Sequence, residues 1–245
     1  MSAISRRRLV TTALTATAGV AGVAVAARVA EANGLTPPEW HGVYGPGDTM
    51  TYAAQKLLTR HTLAREFSRD QISKAPFANA IGPLSPEFKS LQAAGFADWR
   101  LKVGGLVAKP ASLSLADIRK FPSQSQITHL ACEEGWSYVA EWIGARLGDV
   151  LQAVGVRPEA KYVVYESMEK GWTDSIDMAD ALHPQTFLTY GMNGADLPVG
   201  FGGPLRMRVP RQLGYKSVKF ITSLTVTDSI KDLPPPGGYS WYAGI

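Results

Sequence analysis

Cys132 is the only cysteine among 245 residues, so its sulfur cannot form a disulfide within the chain. A lone thiol has three ordinary uses: a small buried hydrophobe, a nucleophile, or a soft ligand for a metal. The run Leu130-Ala131-Cys132-Glu133-Glu134-Gly135-Trp136-Ser137 puts it where an apolar stretch gives way to a polar turn. A nucleophilic thiol needs a base beside it. His129 is the only near candidate, and strand alternation points it to the opposite face, as a core or supporting residue. His41 and His61 carry no assignment, and His183, next to Pro184, is expected to cap a helix. No CxxC, HExxH or CxxCH spacing occurs, so structural zinc is poorly supported and no haem attachment is expected. Redox chemistry would need a non-haem cofactor or a partner that carries electrons.

Several elements must hold this cysteine. Gln126 to Cys132 reads as a strand delivering the thiol at its C-terminal end. Trp99-Arg100-Leu101-Lys102-Val103 alternates and runs into Gly104-Gly105, a strand and a turn. Leu113 to Ile118 is a short capped helix with Ser114 as N-cap and Asp117 three residues on. Arg146 to Val154 is a helix closed by Gly155, with Leu147, Val150, Leu151 and Val154 on one face. Strands are expected at Tyr162–Glu166, Leu205–Val209 and Leu224–Thr227, with a short element at Ser175–Asp177 and a helix from Met178 to Leu182. Tyr52 to Phe67 carries Leu57, Leu58 and Leu63 at helical spacing, and Ser73 to Pro86 is loop-like. Short helices among many strands, without βαβ alternation, indicate an α+β domain.

Composition narrows the function. The chain is 45% hydrophobic and 19% charged, with a net charge of +4, of which Arg6, Arg7 and Arg8 supply three. The remainder is near neutral and shows no basic run interleaved with aromatics, so no nucleic-acid partner is expected. The three arginines precede an Ala/Val-rich stretch from Leu9 to about Ala27, followed by small residues suited to cleavage. Residues 1–32 thus read as a twin-arginine-type signal, with Leu9 where Phe is usual. An uncleaved membrane anchor is the alternative. The twin-arginine export machinery carries folded proteins, so an extracytoplasmic location, periplasmic in a Gram-negative cell, and a cofactor loaded in the cytoplasm are expected. Residues 33–62 read as an arm or linker with a short helix, and residues 63–245 as the catalytic domain.

Three segments in order carry a resemblance. The first is Cys132-Glu133-Glu134-Gly135-Trp136-Ser137 with Glu141-Trp142-Ile143-Gly144. The second is Tyr190-Gly191-Met192-Asn193-Gly194 with Leu197-Pro198. The third is Gly203-Pro204-Leu205-Arg206, Val209-Pro210 and Leu213 to Lys219. Together they resemble the molybdopterin-binding domain of sulfite-oxidase-fold oxidoreductases, over nearly the whole chain after the signal.

The resemblance implies a molybdenum–molybdopterin cofactor whose metal takes the Cys132 thiolate. It places Arg206, Ser217, Val218 and Lys219 in the cofactor-binding segment and Ser167 at a hydroxyl contact. Asn79, in Phe77-Ala78-Asn79, is a loose match to a pocket residue of the arm. Arg211 and Lys216 are candidates to steer an anionic substrate, and Arg208 shares the face of Arg206. One departure stands out: Phe201 occupies a position where relatives carry His or Asn against the pterin, and Phe cannot donate that hydrogen bond. The implied activity is two-electron oxygen-atom transfer on a small sulfite- or sulfoxide-like molecule. Electrons would pass to or from a membrane cytochrome b or a soluble cytochrome. The chain is expected to lack the C-terminal immunoglobulin-like domain of eukaryotic sulfite oxidases. The rival readings are a Cys132-nucleophile enzyme and a cofactor-free binding or relay module on the same fold.

Overall fold

A computed structural model describes residues 25–38, 46–79, 85–233, 239 and 241–242. The arginines of the signal and the first part of its apolar stretch lie outside the described residues, and residues 25–32 are helical. No described helix is long and apolar enough to cross a membrane. The described residues fall into two compact units, one from residues 25–38 and 46–59 and the other from residue 60 onward.

In the first unit the helix runs Pro46–Thr59, so it starts six residues earlier and stops eight residues sooner than the spacing predicts. Pro46 in the first helical position and Asp48 in the first turn are both favourable at an N-terminus. Beyond Thr59 the backbone is used differently. In the second unit Thr62 O takes the His183 ring and Ala64 N donates to Gln185 Oε1, which holds the chain extended. His183 therefore anchors this strap instead of capping a helix, and Leu63 is exposed.

The strap continues along the edge of a sheet. Phe67 N donates to Ile127 O, Ser73 N to Val139 O and Val139 N to Ser73 Oγ. Arg69 closes a forked ion pair on Glu141 at 2.7 Å, and a single 3-10 turn occupies Arg69–Gln71. A helix follows the loop-like stretch, α1 (Pro86–Ala93), for which the sequence pattern carries no assignment, capped by the Ser85 hydroxyl accepting from Phe88 N.

Two sheets form the body of this unit. The first has the order β2-β1-β10-β5-β6, from strands β1 (Leu101–Gly105), β2 (Ala111–Leu113), β5 (Tyr162–Ser167), β6 (Thr173–Asp177) and β10 (Ile221–Thr227). Only β1 and β10 pair in parallel. The second has the order β3-β4-β7-β8, with β9 also paired to β7, on the edge that β8 shares. Its strands are β3 (Ser123–Ala131), β4 (Ser137–Arg146), β7 (Phe187–Met192), β8 (Ala195–Asp196) and β9 (Arg206–Arg208). The short helices are α2 (Leu115–Ile118), α3 (Leu147–Val154) and α4 (Met178–Ala181). The mixed architecture is the α+β one expected.

The local rules hold where the sequence states them. Ser114 and Asp117 close the capping box at α2. Gly155 ends α3 at φ 67°, and Leu147, Val150, Leu151 and Val154 are all buried. Each such side chain contributes roughly 1.5–3 kcal/mol relative to exposure. Strands β4 and β7 are harder to read because they are buried on both faces and do not alternate. Gly144 in β4 has a steric role: a Cβ there would lie 2.3 Å from Leu188 O, where the β4–β7 register shifts.

A large apolar core includes β1, β5, β10 and α3. A smaller cluster comprises Leu130, Tyr138, Ala140, Trp142, Met192 and Leu197, with Trp136 and Phe201 packed on it. The second cluster forms the floor of the site.

Candidate active site

Strand β3 ends at Ala131 and Cys132 opens the turn into β4. Its N–H donates to Trp136 O at 2.9 Å, and Gly135 N donates to Cys132 O at 3.1 Å, with Gly135 at φ 89°. Hydrogen bonds at both ends of the turn fix the cysteine backbone, and the side chain is half-buried. The segment after β9 runs directly against it. A Cβ at Gly214 would sit 3.2 Å from Ala131 O and 3.5 Å from Cys132 Cα, so the glycine lets two chain segments meet at the thiol.

The contacts of Cys132 Sγ are Glu133 Oε2 at 3.4 Å and Glu134 Oε2 at 3.9 Å. Burial, with these carboxylates, pushes the thiol up to about 11. That disfavours a nucleophilic cysteine, which needs a depressed pKa or an adjacent base. His129 does not supply one: its ring packs at 6.3 Å on Phe67 of the strap, and burial and Arg208 lower its pKa. A bound soft metal reverses the thiol's preference, because a coordinating thiol is deprotonated outright.

Two basic side chains predicted to hold the cofactor come together near the thiol. Arg206, 3% exposed, donates from Nε to Ser217 O at 2.8 Å and from Nη1 to Phe201 O at 3.0 Å. Lys219 Nζ donates to Asn79 Oδ1 at 2.6 Å and to Gly200 O at 2.9 Å, so the strap does deliver Asn79 to this group. Burial lowers the Arg206 guanidinium, offset in part by Tyr138 and Cys132. Burial and the Arg206 charge bring Lys219 down to about 8. Gly202, at φ 107°, makes room: a Cβ there would lie 2.8 Å from Lys219 Cγ.

The hydrogen bonds of the buried Arg206 and the partly buried Lys219 end on neutral oxygens, a costly arrangement unless an anion joins them. Among the described residues neither Val218 N–H nor Lys219 N–H donates a hydrogen bond, which leaves backbone donors beside the cations. A group that ends in a phosphate and offers a metal for a thiolate fits this set: Arg206, Lys219 and the two N–H groups for the phosphate, Cys132 for the metal. Ser217 sits differently from expectation. Its hydroxyl faces inward, accepting from Val209 N and Arg208 Nη1.

Three of the expected contact residues already have partners within the chain. Lys216 is fully buried, and its Nζ donates to Asp174 Oδ1 at 2.6 Å and to Ser175 O at 2.8 Å. Arg211 is 6% exposed and paired with Asp180, which also takes Gln212 Nε2. Neither is available to steer a substrate, since each already neutralises a buried carboxylate. Ser167 Oγ accepts from Glu169 N at 2.9 Å and organises the turn after β5. Phe201 contributes its carbonyl to Arg206, while its ring stands edge-on to Tyr138 at 5.7 Å.

Sequence reasoning missed Tyr239. It stacks on Tyr215 at 5.0 Å, and burial and a hydrogen bond with Glu133, with Cys132 close by, push its phenol up. No periodicity marks a tyrosine in a Gly- and Pro-rich tail; only the tertiary path brings it to the thiol. An aromatic run also borders the turn: Phe77 lies 5.3 Å from Trp136, which stacks on Tyr138 at 6.1 Å. A surface groove of about 420 Å³ beside α3 and α4 is lined by other residues, among them Leu151, Met178 and Leu182.

The mixed two-sheet fold thus brings a lone thiol beside cations whose partners are neutral. The chain belongs to the family described as the oxidoreductase molybdopterin binding domain, whose model matches residues 89–233. It is 40% identical over 195 residues to the putative protein-methionine-sulfoxide reductase subunit YedZ1 of Azospira oryzae, covering 77% of this chain and 70% of that protein. It is 30% identical to the protein-methionine-sulfoxide reductase catalytic subunit MsrP of Xanthomonas axonopodis pv. citri, covering 98% of this chain and 76% of that one. Among solved structures it superposes on the sulfane dehydrogenase SoxCD of Paracoccus pantotrophus with a TM-score of 0.52 at 26% identity. That match covers 54% of this chain and spans 39% of the other. The sulfite-oxidase fold and the membership of a molybdopterin-dependent enzyme family are thereby established.

Proposed function

We propose that this chain is an exported reductase of small sulfoxide-like groups, carrying molybdenum–molybdopterin on Cys132 and taking electrons from a separate carrier, a membrane cytochrome b or a soluble cytochrome. The observation that carries the reading is the pairing of a lone, half-buried cysteine with cations whose hydrogen bonds end on neutral oxygens. The names of the two relatives supply the substrate class. Reduction of a sulfoxide to a thioether consumes two electrons and two protons and releases water.

Molybdenum–molybdopterin, when bound, supplies the two-electron redox couple and the oxygen transfer. The chain supplies the rest. Cys132 gives a thiolate on a backbone pinned at both ends of a tight turn. Arg206 and Lys219 balance the negative charge, and Asn79 and Gly200 O hold the lysine in place. Tyr239 and Glu133 hold a hydrogen-bonded proton beside the sulfur. Trp136 and Phe77 form an apolar wall at the turn, suited to a thioether or sulfoxide methyl group. Export follows from the arginine-led apolar N-terminus.

The test is expression of the full chain, signal included, in a host that makes molybdopterin. About one molybdenum per chain is expected for this single-cysteine site, with loss of the metal in Cys132→Ser and reduction of methionine sulfoxide by an artificial donor. Metal-free protein from such a host sinks the proposal. Retention of the protein in the cytoplasm after Arg6 and Arg7 are changed to Lys tests the export route.

A further inference from the structure

Arg208 is wholly buried and has no place in the site as described so far. Its guanidinium reaches two segments at once. Nη1 donates to Ser217 Oγ at 3.3 Å, while Nη2 donates to His129 O at 2.6 Å and to Thr128 Oγ1 at 3.2 Å. Thr128 and His129 lie on β3, four and three residues before Cys132. Ser217 opens the Ser217–Lys219 turn. Every partner is neutral, and Nε has no partner among the described residues.

Trp142 ties the two arginines together. Its ring lies 5.2 Å from the Arg208 guanidinium and 5.4 Å from that of Arg206, and its Nε1 donates to Thr128 O at 3.3 Å. Ser217 does the same on the other side, since its carbonyl takes Arg206 Nε and its hydroxyl takes Arg208 Nη1. A second buried cation beside Arg206 is electrostatically unfavourable, and an apolar side chain of similar volume would fill the space without that repulsion. What an apolar side chain cannot do is bridge the two segments. Lysine keeps the charge but lacks a planar fork that reaches acceptors in two directions.

We propose that Arg208 is a positioning residue: it locks the strand that presents the Cys132 thiolate to the turn that presents Lys219, and so sets the spacing between metal ligand and cofactor anchor. The inference rests on the molybdopterin reading of the site. Arg208 touches neither the thiol nor the substrate; it acts through β3 and Ser217.

The test compares wild type with Arg208→Met and Arg208→Lys, each loaded with cofactor in the same host. Three quantities are read: molybdenum and pterin per chain, the rate of cofactor loss on dilution, and the electron paramagnetic resonance spectrum of the half-reduced metal. Both variants are expected to lose cofactor on the order of tenfold faster, the effect of weakening one charge-assisted contact made by the displaced Lys219 turn, and to share an altered spectrum. Lysine should not restore either property. If Arg208→Met fails to fold, Ser217→Ala and Thr128→Val each remove one partner and are expected to shift the spectrum in the same sense. A lowered melting temperature with an unchanged spectrum and loss rate overturns the proposal, as does full rescue by lysine. Wild-type protein without molybdenum instead overturns the reading on which it rests.

Discussion

Two groups of basic side chains, all buried except the partly buried Lys219, lie within a stretch of fourteen residues, and they are satisfied in opposite ways. Lys216 and Arg211 each meet a buried carboxylate, Asp174 and Asp180. Arg206, Arg208 and Lys219 give their hydrogen bonds to carbonyls, hydroxyls and an amide. In sequence all five look alike, as cations around a Pro- and Gly-punctuated strand. In space the first group is closed and structural. The second keeps an excess of positive charge facing the turn of Cys132. Partner type, and not burial, separates a core ion pair from the proposed anion site, because only the first group is compensated by carboxylates within the chain.

The comparison breaks most sharply at Lys216. Lys216→Met leaves Asp174 buried without its cation and is expected to cost about 3–5 kcal/mol in denaturant unfolding. A double change with Asp174→Leu should recover most of it; full stability in the single variant would undo the distinction. Arg206→Met should behave the other way. The cofactor-free protein should unfold at about the same denaturant concentration as wild type, while cofactor binding weakens by about 1.5–3 kcal/mol. Inductively coupled plasma analysis for molybdenum after gel filtration reads this directly.

A smaller effect is expected from pH. The Lys219 ammonium titrates near 8 in the folded protein, below its ordinary value of 10.5. The unfolded chain therefore binds more protons between these values, and stability of the cofactor-free protein rises with pH across that window. Binding of an anionic cofactor has the opposite sign: it is favoured below about 8, where the lysine is charged, and weakens above it. Lys219→Met should flatten both profiles, measured by thermal melts and by cofactor retention. The smallest effect belongs to Ser167→Ala. It removes one turn hydrogen bond, with a cost of about 1 kcal/mol or less and unchanged molybdenum content.

Residue patterns alone determined a good deal. Local rules placed the strand into Cys132, the Ser114–Asp117 capping box and the α3 stripe ending at Gly155, because each depends on neighbours within four residues. The ordered motifs around Cys132, Tyr190 and Arg206 carried the family. Strands β4 and β7 were not legible as elements, since burial on both faces removes the alternation that betrays a strand. The course of the strap was missed because it is held by contacts such as Gln185 to Ala64, 121 residues apart.

For the site, the sequence determined which side chains carry the chemistry available: one soft sulfur, a handful of cations and a polar turn. Only the tertiary structure decided how they divide. It sent Lys216 and Arg211 to buried carboxylates, turned the Ser217 hydroxyl inward to Arg208, and brought Asn79 across 140 residues to Lys219. It also carried Tyr239 from the tail to the vicinity of Cys132. The physical reason is that a charged group is defined by its compensating partner, and that partner is chosen by chain crossings that no local spacing encodes.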